Sequence, residues 1–562
     1  MPDEPSWSQC ICQAGLKGYS LTHSATTVEK KWTKVDLLLI LTCLVLAILV
    51  RAPELRHDLS SDEVWILASS NGRANEMFER WNNNFYVPPA NSPIELDSAQ
   101  SISHVWTDGV SMHPPLYSVS LRGWREIWGD SRSVATSYSL ACSLVALIFV
   151  FATIRIQASS AVATAVCLML GLSIVQTHVS TEVRGYALLS MLIACSVWQA
   201  VRIEVDGGSI VRVWLLGLMP LFLMLTHYFA AGICIALCVW AWFYLKERLR
   251  FHFFLAVVCS AVVYLLIWAP FLIEHAKIAG EIDSFLERDD PIWKSVIPKA
   301  IDLPVRIFVY PENRAITVCL GLALGGLVVA GMRKISAVRV WGLMLFFGIG
   351  FVLIVDVARQ THHVSFMRYG ALVSVAVPAA LFLSIDGLFN KWLWPVTVAI
   401  LVCLVLQLNE RRDVGSVHMS HAVSEFLPVI AEFPAEYPVV SCAVGKKINP
   451  HGATTMMTAF ASHPGFLPRA SMVDLEVLSA HASETGTPAS RFWLITVGRV
   501  IGPKPEQVLA SLPPALQQEY PQVTVVDGPW NVRSGGWGIS PRLGADLWLM
   551  EIPIKDELES EK

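Results

Sequence analysis

The sequence predicts an all-α polytopic membrane protein of about eleven transmembrane helices, with a small α/β domain outside the membrane at its C-terminal end. Three observations carry that expectation. Of the 562 residues, 54% are hydrophobic and only 16% charged, and the mean hydropathy is +0.50, values outside the range of ordinary soluble domains. Apolar runs close to the ~20 residues that a bilayer core demands recur along the first two thirds of the chain. Beyond Asn409 the composition becomes that of a soluble domain, with apolar runs of strand length. The net charge of -4 is spread along the chain, which excludes a nucleic-acid footprint and an acidic tail.

Residues 1–34 read as a cytoplasmic tail, because the polar stretch is too long for the n-region of a cleavable signal and no small-residue cleavage site follows. Lys30, Lys31 and Lys34 then bias this end inward ahead of a first span at roughly 35–50. A polar loop, 52–131, follows. Further spans read at roughly 133–154, 158–176, 185–203, 253–272, 315–332, 338–355, 369–387 and 392–408. The interval from Val213 to Leu245 would make an unbroken helix of about 50 Å against a core of about 30 Å, so it divides into two short spans that turn at Thr226-His227-Tyr228. This parity places Arg155, Arg202, Arg212, Lys246, Arg333, Lys334 and Lys391 on the side of the N-terminal lysines, as the excess of inner positive charge requires. Residues 35–408 thus form the membrane domain and 409–562 an extracytoplasmic one. In the latter, Pro438–Val444, Phe492–Val497, Val523–Val526 and Leu547–Ile552 read as strands and Glu506–Tyr520 as a helix. It carries no glycine loop, nucleophile elbow or paired metal spacing.

Polar residues that spanning cannot explain gather on the outer face. They are the Asp62-Glu63 doublet, His104, Asp108, His113, Glu182, Arg184, Tyr186, His227, Tyr228, His362, His363, Arg368 and Tyr369. A transporter would set its ionisable groups near the bilayer midplane, so the pattern reads as an interfacial active site. Several residues carry a structural reading beside the functional one. Asp62 and Glu63 suit the first turn of a helix capped by Ser60 or Ser61. His113 precedes two prolines and suits the entry to a helix on which Tyr117, Leu121, Trp124 and Trp128 recur at helical spacing, an amphipathic helix at the interface. Glu182 and Tyr186, four apart, would share a helix face, and Glu182 could equally pair with Arg184. Arg288, Lys294, Lys299 and Arg306 in the loop after the seventh span suit headgroups.

The order of these motifs resembles that of the C-type glycosyltransferase superfamily, and within it the protein O-mannosyltransferase and aminoarabinose transferase branch. The resemblance rests on Asp62-Glu63 after the first span, His113-Pro114-Pro115-Leu116-Tyr117, Glu182-x-Arg184-x-Tyr186, Thr226-His227-Tyr228-Phe229 and Arg368-Tyr369. It implies the C-type fold and an inverting transfer of a sugar from a polyprenyl-phosphate donor to an acceptor lipid, protein or glycan on the extracytoplasmic side. An acceptor hydroxyl is a weak nucleophile at neutral pH and needs a carboxylate to take its proton. Asp62 is the candidate base, with Glu63 orienting the acceptor or holding a metal. Arg184 and Arg368 are candidates for the leaving phosphate, and His113, Tyr117, Glu182, Tyr186 and His227 for further substrate contacts. A divalent metal, if one is used, would fall to Glu63, His113 and His227. The implied partners are the donor lipid, the surrounding membrane lipids and the acceptor, in a bacterial inner membrane. The rival reading is a transporter or flippase of lipid-linked glycans, which binds the same phosphate and breaks no bond.

Of the twelve cysteines, nine lie inside apolar runs, where a thiol behaves as a small hydrophobe. Cys442 stands alone in the C-terminal region, so no disulfide within that region is expected.

Overall fold

The computed structural model describes residues 32–56, 61–74, 94–107, 113–282, 290–308 and 313–413, together with five strands between residues 439 and 551. In chain order the main helices are α1 (Lys34–Arg51), α2 (Ser61–Ser70), α3 (Ile102–Thr107), α4 (Leu116–Trp128), α5 (Arg132–Gln157), α6 (Ser160–Leu172), α7 (Ile174–Thr181) and α8 (Tyr186–Asp206). They continue as α9 (Ile210–Met224), α10 (Ala231–Tyr244), α11 (Glu247–Ile282), α12 (Ile297–Arg306), α13 (Arg314–Lys334), α14 (Ser336–Arg359), α15 (Ala376–Phe389) and α16 (Leu393–Asp413). Every apolar run read as a span is helical, two of them in pieces: 158–176 divides between α6 and α7, and 369–387 begins in a 3₁₀ turn (Met367–Gly370) and a short helix (Ala371–Ser374) ahead of α15. Among the described residues, six stretches are long and apolar enough to cross a membrane, or seven if the bent pair α6–α7 counts as one span. The protein is an integral membrane protein. α1 carries Lys34, Asp36 and Arg51 within its 18 residues, and α9 and α10 are short apolar helices. Arg368–Leu406 counts as a single stretch although a 3₁₀ turn at Asn390–Trp392 interrupts it.

Local chemistry explains where the helices start and break. Thr33 and Asp36 form a capping box at the start of α1. The buried Asp36 carboxylate also accepts from Arg155 Nε (2.8 Å) and Ser160 Oγ (2.6 Å), stapling α1 to α5 and α6 at one end of the bundle. At the opposite end Arg51, fully buried, donates to the Gly171 carbonyl (2.7 Å) and to Ser180 Oγ (2.5 Å). That guanidinium sits where α6 gives way to α7, a bend of 58°. Ser173 makes the break by capping α7 through its side chain (Gln176 N–H, 3.2 Å). The expected span at 158–176 is therefore two helices at an angle, because a serine cap competes with helix continuation.

The division at Thr226-His227-Tyr228 is present as a 3₁₀ turn, Tyr228–Ala230, between α9 and α10. α11 departs from expectation. It runs 36 residues to Ile282 through Pro270, so the outer loop begins ten residues later than residue 273. α10 and α14 approach backbone to backbone, since a Cβ on Gly232 would stand 2.5 Å from the Phe347 carbonyl. Large apolar side chains on α1 and α11 face outward, with Leu38 at 63% and Leu266 at 76% exposure, as lipid-facing positions require.

In the C-terminal region β1 (Val439–Val444), β2 (Met472–Val473), β3 (Arg491–Gly498), β4 (Thr524–Arg533) and β5 (Gly544–Glu551) form one sheet in the order β2-β1-β3-β5-β4. β1 pairs in parallel with β2 and β3, while β5 lies antiparallel to β3 and β4. The four runs read as strands coincide with β1, β3, β4 and β5. Glu506–Tyr520 lies outside the described residues.

Candidate active site

Five chain segments meet at the end of the bundle opposite Asp36. α2 presents Asp62 and Glu63 in its first turn. The turn between α7 and α8 brings Glu182 and Arg184, the α9–α10 turn brings His227, and the 3₁₀ turn Met367–Gly370 brings Arg368 and Tyr369. The His113-Pro114-Pro115 entry to α4 is tied to the end of α9 by a hydrogen bond from the Leu116 N–H to the Leu225 carbonyl (3.0 Å).

Asp62 is the centre of the charge network. Its Oδ2 accepts from Arg184 Nη1 at 3.0 Å and from Arg368 Nη1 at 3.1 Å, so one carboxylate oxygen bridges guanidiniums that lie 122 and 306 residues further along the chain. The Asp62 side chain is still 46% exposed. Arg184, against the opposing effect of burial and then aided by Arg368, holds the carboxyl below the usual carboxylate range. With that exposure each ion pair contributes less than about 1 kcal/mol. Glu63 points the other way. It is buried, and its Oε1 accepts the Val183 N–H at 2.8 Å, locking α2 to the turn that carries Arg184.

A pocket opens beside this pair, with Ile66, His113, Tyr117, Arg184, Tyr186 and His227 on its walls. The His113 and His227 rings lie 5.5 Å apart, and the Tyr186 ring lies tilted 5.2 Å from His227. Burial, with Arg184 adding to it, pushes His113 down to about 3. Burial followed by His113 lowers His227 well below the usual range. Both imidazoles are neutral at pH 7. His227 Nδ1 accepts the Phe229 N–H (3.2 Å), which leaves the proton on Nε2. Among the described residues that buried Nε2–H has no hydrogen-bond partner, and Arg368 Nε is buried in the same condition. The pocket wall thus offers one unspent donor, the His227 Nε2–H.

The remaining expected residues fall as follows. Tyr117 turns its hydroxyl to Ser139 (2.7 Å) and lines the pocket with its ring. Leu121 is buried, and Trp124 donates to the Val134 carbonyl (3.1 Å), so α4 is an amphipathic helix with a packed face. Glu182 and Tyr186 do not share a helix face: Glu182 is the extended C-cap of α7, and α8 begins only at Tyr186. Nor does Glu182 pair with Arg184. Its carboxylate meets His178 Nε2 at 3.0 Å, one helical turn back, while Arg184 is taken by Asp62. His104 binds Ser101 Oγ on exposed α3, and Asp108 and Arg288 lie outside the described residues. Lys299 and Arg306 are not headgroup contacts: Lys299 donates to Ser365 Oγ (2.6 Å), and buried Arg306 pairs with Asp302 (2.5 Å).

Among the described residues, no group of three or more His, Cys, Asp or Glu is placed to hold a metal ion. Glu63, His113 and His227 do not converge as a ligand set.

Two clusters on the same rim escape the sequence reading. Trp268 Nε1 donates to Tyr228 Oη (3.1 Å), and that hydroxyl meets His275 Nδ1 at 2.7 Å. His275 stayed hidden because it lies beyond the apolar run, on a part of α11 read as loop. Asp356 Oδ1 accepts from Thr361 Oγ1 (2.9 Å), the His363 N–H (2.7 Å) and His363 Nδ1 (2.8 Å), while Oδ2 accepts the Val364 N–H (2.9 Å). The i, i+4 spacing of His178 and Glu182 was the visible signal for their pairing.

No protein-family model matches the chain, and no curated protein matches it in sequence. Among solved structures it is similar to ArnT from Cupriavidus metallidurans in the apo state, with a TM-score of 0.42 and 14% identity over 91% of this chain and 97% of that one. The same protein bound to undecaprenyl phosphate gives 0.42 and 14% over 92% and 98%. The Archaeoglobus fulgidus oligosaccharyltransferase in complex with Zn and sulfate gives 0.40 and 11% over 84% and 69%.

Proposed function

We infer that this protein is a membrane glycosyltransferase that moves a sugar from a polyprenyl-phosphate donor to an acceptor hydroxyl, with inversion. The carrying observation is the juxtaposition of the Asp62 carboxylate with two guanidiniums and the neutral His113–His227 pair beside one pocket. In this reading the acceptor oxygen attacks the anomeric carbon as Asp62 takes its proton. The bond between that carbon and the phosphate oxygen breaks, and the singly charged phosphodiester leaves as a doubly charged polyprenyl phosphate. Arg184, Arg368 and the His227 Nε2–H face the charge that grows. Glu63 positions α2 through Val183, and Tyr117 shapes the wall.

The same reading takes eleven crossings, with 1–34 inside, 35–408 as the C-type membrane domain and 409–562 as an α/β domain on the outer face, the site opening to the outside of a bacterial inner membrane. The positive-inside bias of the loops and the soluble composition after Asn409 support it. To test the activity, purified full-length protein is given radiolabelled polyprenyl-phosphate sugars and membrane extract as acceptor. Transfer that Asp62→Asn abolishes while protein abundance holds is the expected result. Lipid-linked sugar that moves across vesicles with its glycosidic bond intact would replace the enzyme with a transporter.

A further inference from the structure

The arrangement around Asp62 poses a chemical difficulty for the transfer reaction. A carboxylate clamped by two guanidiniums through a single oxygen is a weak base, because both cations favour its ionised form. The groups facing it are Arg184 and Glu182 from the turn before α8, Arg368 from the turn before α15, and His113 from the α4 entry. Glu182 is engaged by His178, and His113 is half-buried and neutral, so the two arginines set the basicity. Arg184 lines the pocket that the donor phosphate would enter, and Arg368, held on the same carboxylate oxygen, has a buried Nε without a hydrogen-bond partner among the described residues. Asp62 and a lipid phosphate therefore compete for one pair of cations.

We propose that Arg184 and Arg368 are a shared clamp, held on Asp62 in this structure and drawn onto the donor phosphate as its bond to the sugar breaks, which releases Asp62 to accept the acceptor's proton. The proposal rests on the transferase reading and deepens it. Charge balances along the way. The phosphate passes from one negative charge to two as the electron pair of the broken bond goes to its oxygen. The guanidiniums follow that charge, and the acceptor proton ends on the carboxylate they leave. Base strength thus rises with leaving-group departure. The same clamp restrains the base while the bound donor phosphate is singly charged, which protects the donor sugar from attack by water before an acceptor arrives.

The test is binding of a polyprenyl methyl phosphodiester, which keeps a single charge across the pH range used, to the full-length protein in nanodiscs. Asp62→Asn should bind this lipid about fivefold more tightly than the wild type, because the arginines no longer have to leave a carboxylate. Wild-type affinity should stay level from about 7 to about 5 and rise as pH falls from about 5 to about 3, through the lowered range in which Asp62 takes up its proton and frees the clamp. Asp62→Asn should show no such rise, and Glu182→Gln should retain it. Equal or weaker binding by Asp62→Asn, or a wild-type affinity that does not change with pH, overturns the shared clamp and leaves the transferase reading standing. Where Asp62→Asn fails to fold, the wild-type pH series alone decides. Failure of the wild type to bind the lipid at any pH overturns both.

Discussion

Asp62 and Asp356 stand on the same rim and have been treated oppositely by the fold. Asp356 is fully buried, and both its oxygens are filled by Thr361, His363 and Val364, all within eight residues. Its loop turns through Gln360, whose φ of 55° places a side chain in the left-handed region. Asp62 remains 46% exposed and, among the described residues, is held by side chains brought from distant parts of the chain. A carboxylate saturated by its own loop is a structural brace. One that borrows long, extended cations at the mouth of a pocket is poised to exchange them. The two aspartates are the same residue type at the same end of the bundle, so the contrast isolates what the surroundings contribute.

Substituting both aspartates tests that contrast most severely. Asp62→Asn should lower transfer by about a thousandfold with thermal stability kept, whereas Asp356→Asn should leave a measurable rate; single-turnover assays on matched preparations distinguish them, and equal losses would end the comparison. Next in size, Arg184→Gln and Arg368→Gln should each reduce transfer about a hundredfold. Lysine at either place should recover only part, because a point charge cannot span two oxygens as a guanidinium does. On stability, Asp356→Asn should cost about 2 kcal/mol, because an amide nitrogen cannot accept the N–H bonds the carboxylate takes. A midpoint of unfolding in detergent equal to that of the wild type would contradict the brace.

The smallest effect is one of pH. His113 and His275 are held down to about 3 and about 4, chiefly by burial. Between those values and the ordinary histidine range the unfolded chain binds more protons than the folded one, so stability falls as pH drops from about 6.5 towards 4. His275→Phe should flatten part of that slope. An unchanged slope would mean that His275 is not neutral in the folded protein.

The sequence made the membrane class and the position of each apolar run legible, because hydropathy over twenty residues is a strong and local signal. The motifs Asp62-Glu63, Glu182-x-Arg184 and Arg368-Tyr369 marked the residues that meet at the rim, but their pairing was not readable. Nothing in the spacing says that Arg184 turns to Asp62 while Glu182 turns back to His178. That choice is made by the extended backbone at Glu182, which swings Arg184 off the α7 axis. The bend at Ser173 was hidden because one serine in an apolar run alters hydropathy little while changing direction by 58°. His275 was missed because a helix that outlasts its apolar run looks like loop once charges appear.

That overlong helix has a mechanical meaning. Thirty-six residues of α11 measure about 54 Å, against about 30 Å of hydrocarbon, so a tilted or protruding mast of surplus length is unavoidable. Its outward stripe of Val262, Leu266 and Ile273 must match the depth of the acyl chains. Thinner or thicker bilayers would therefore raise or lower the Tyr228–His275 contact relative to the headgroups, and lipid composition becomes a dial on how the rim meets whatever arrives through the membrane.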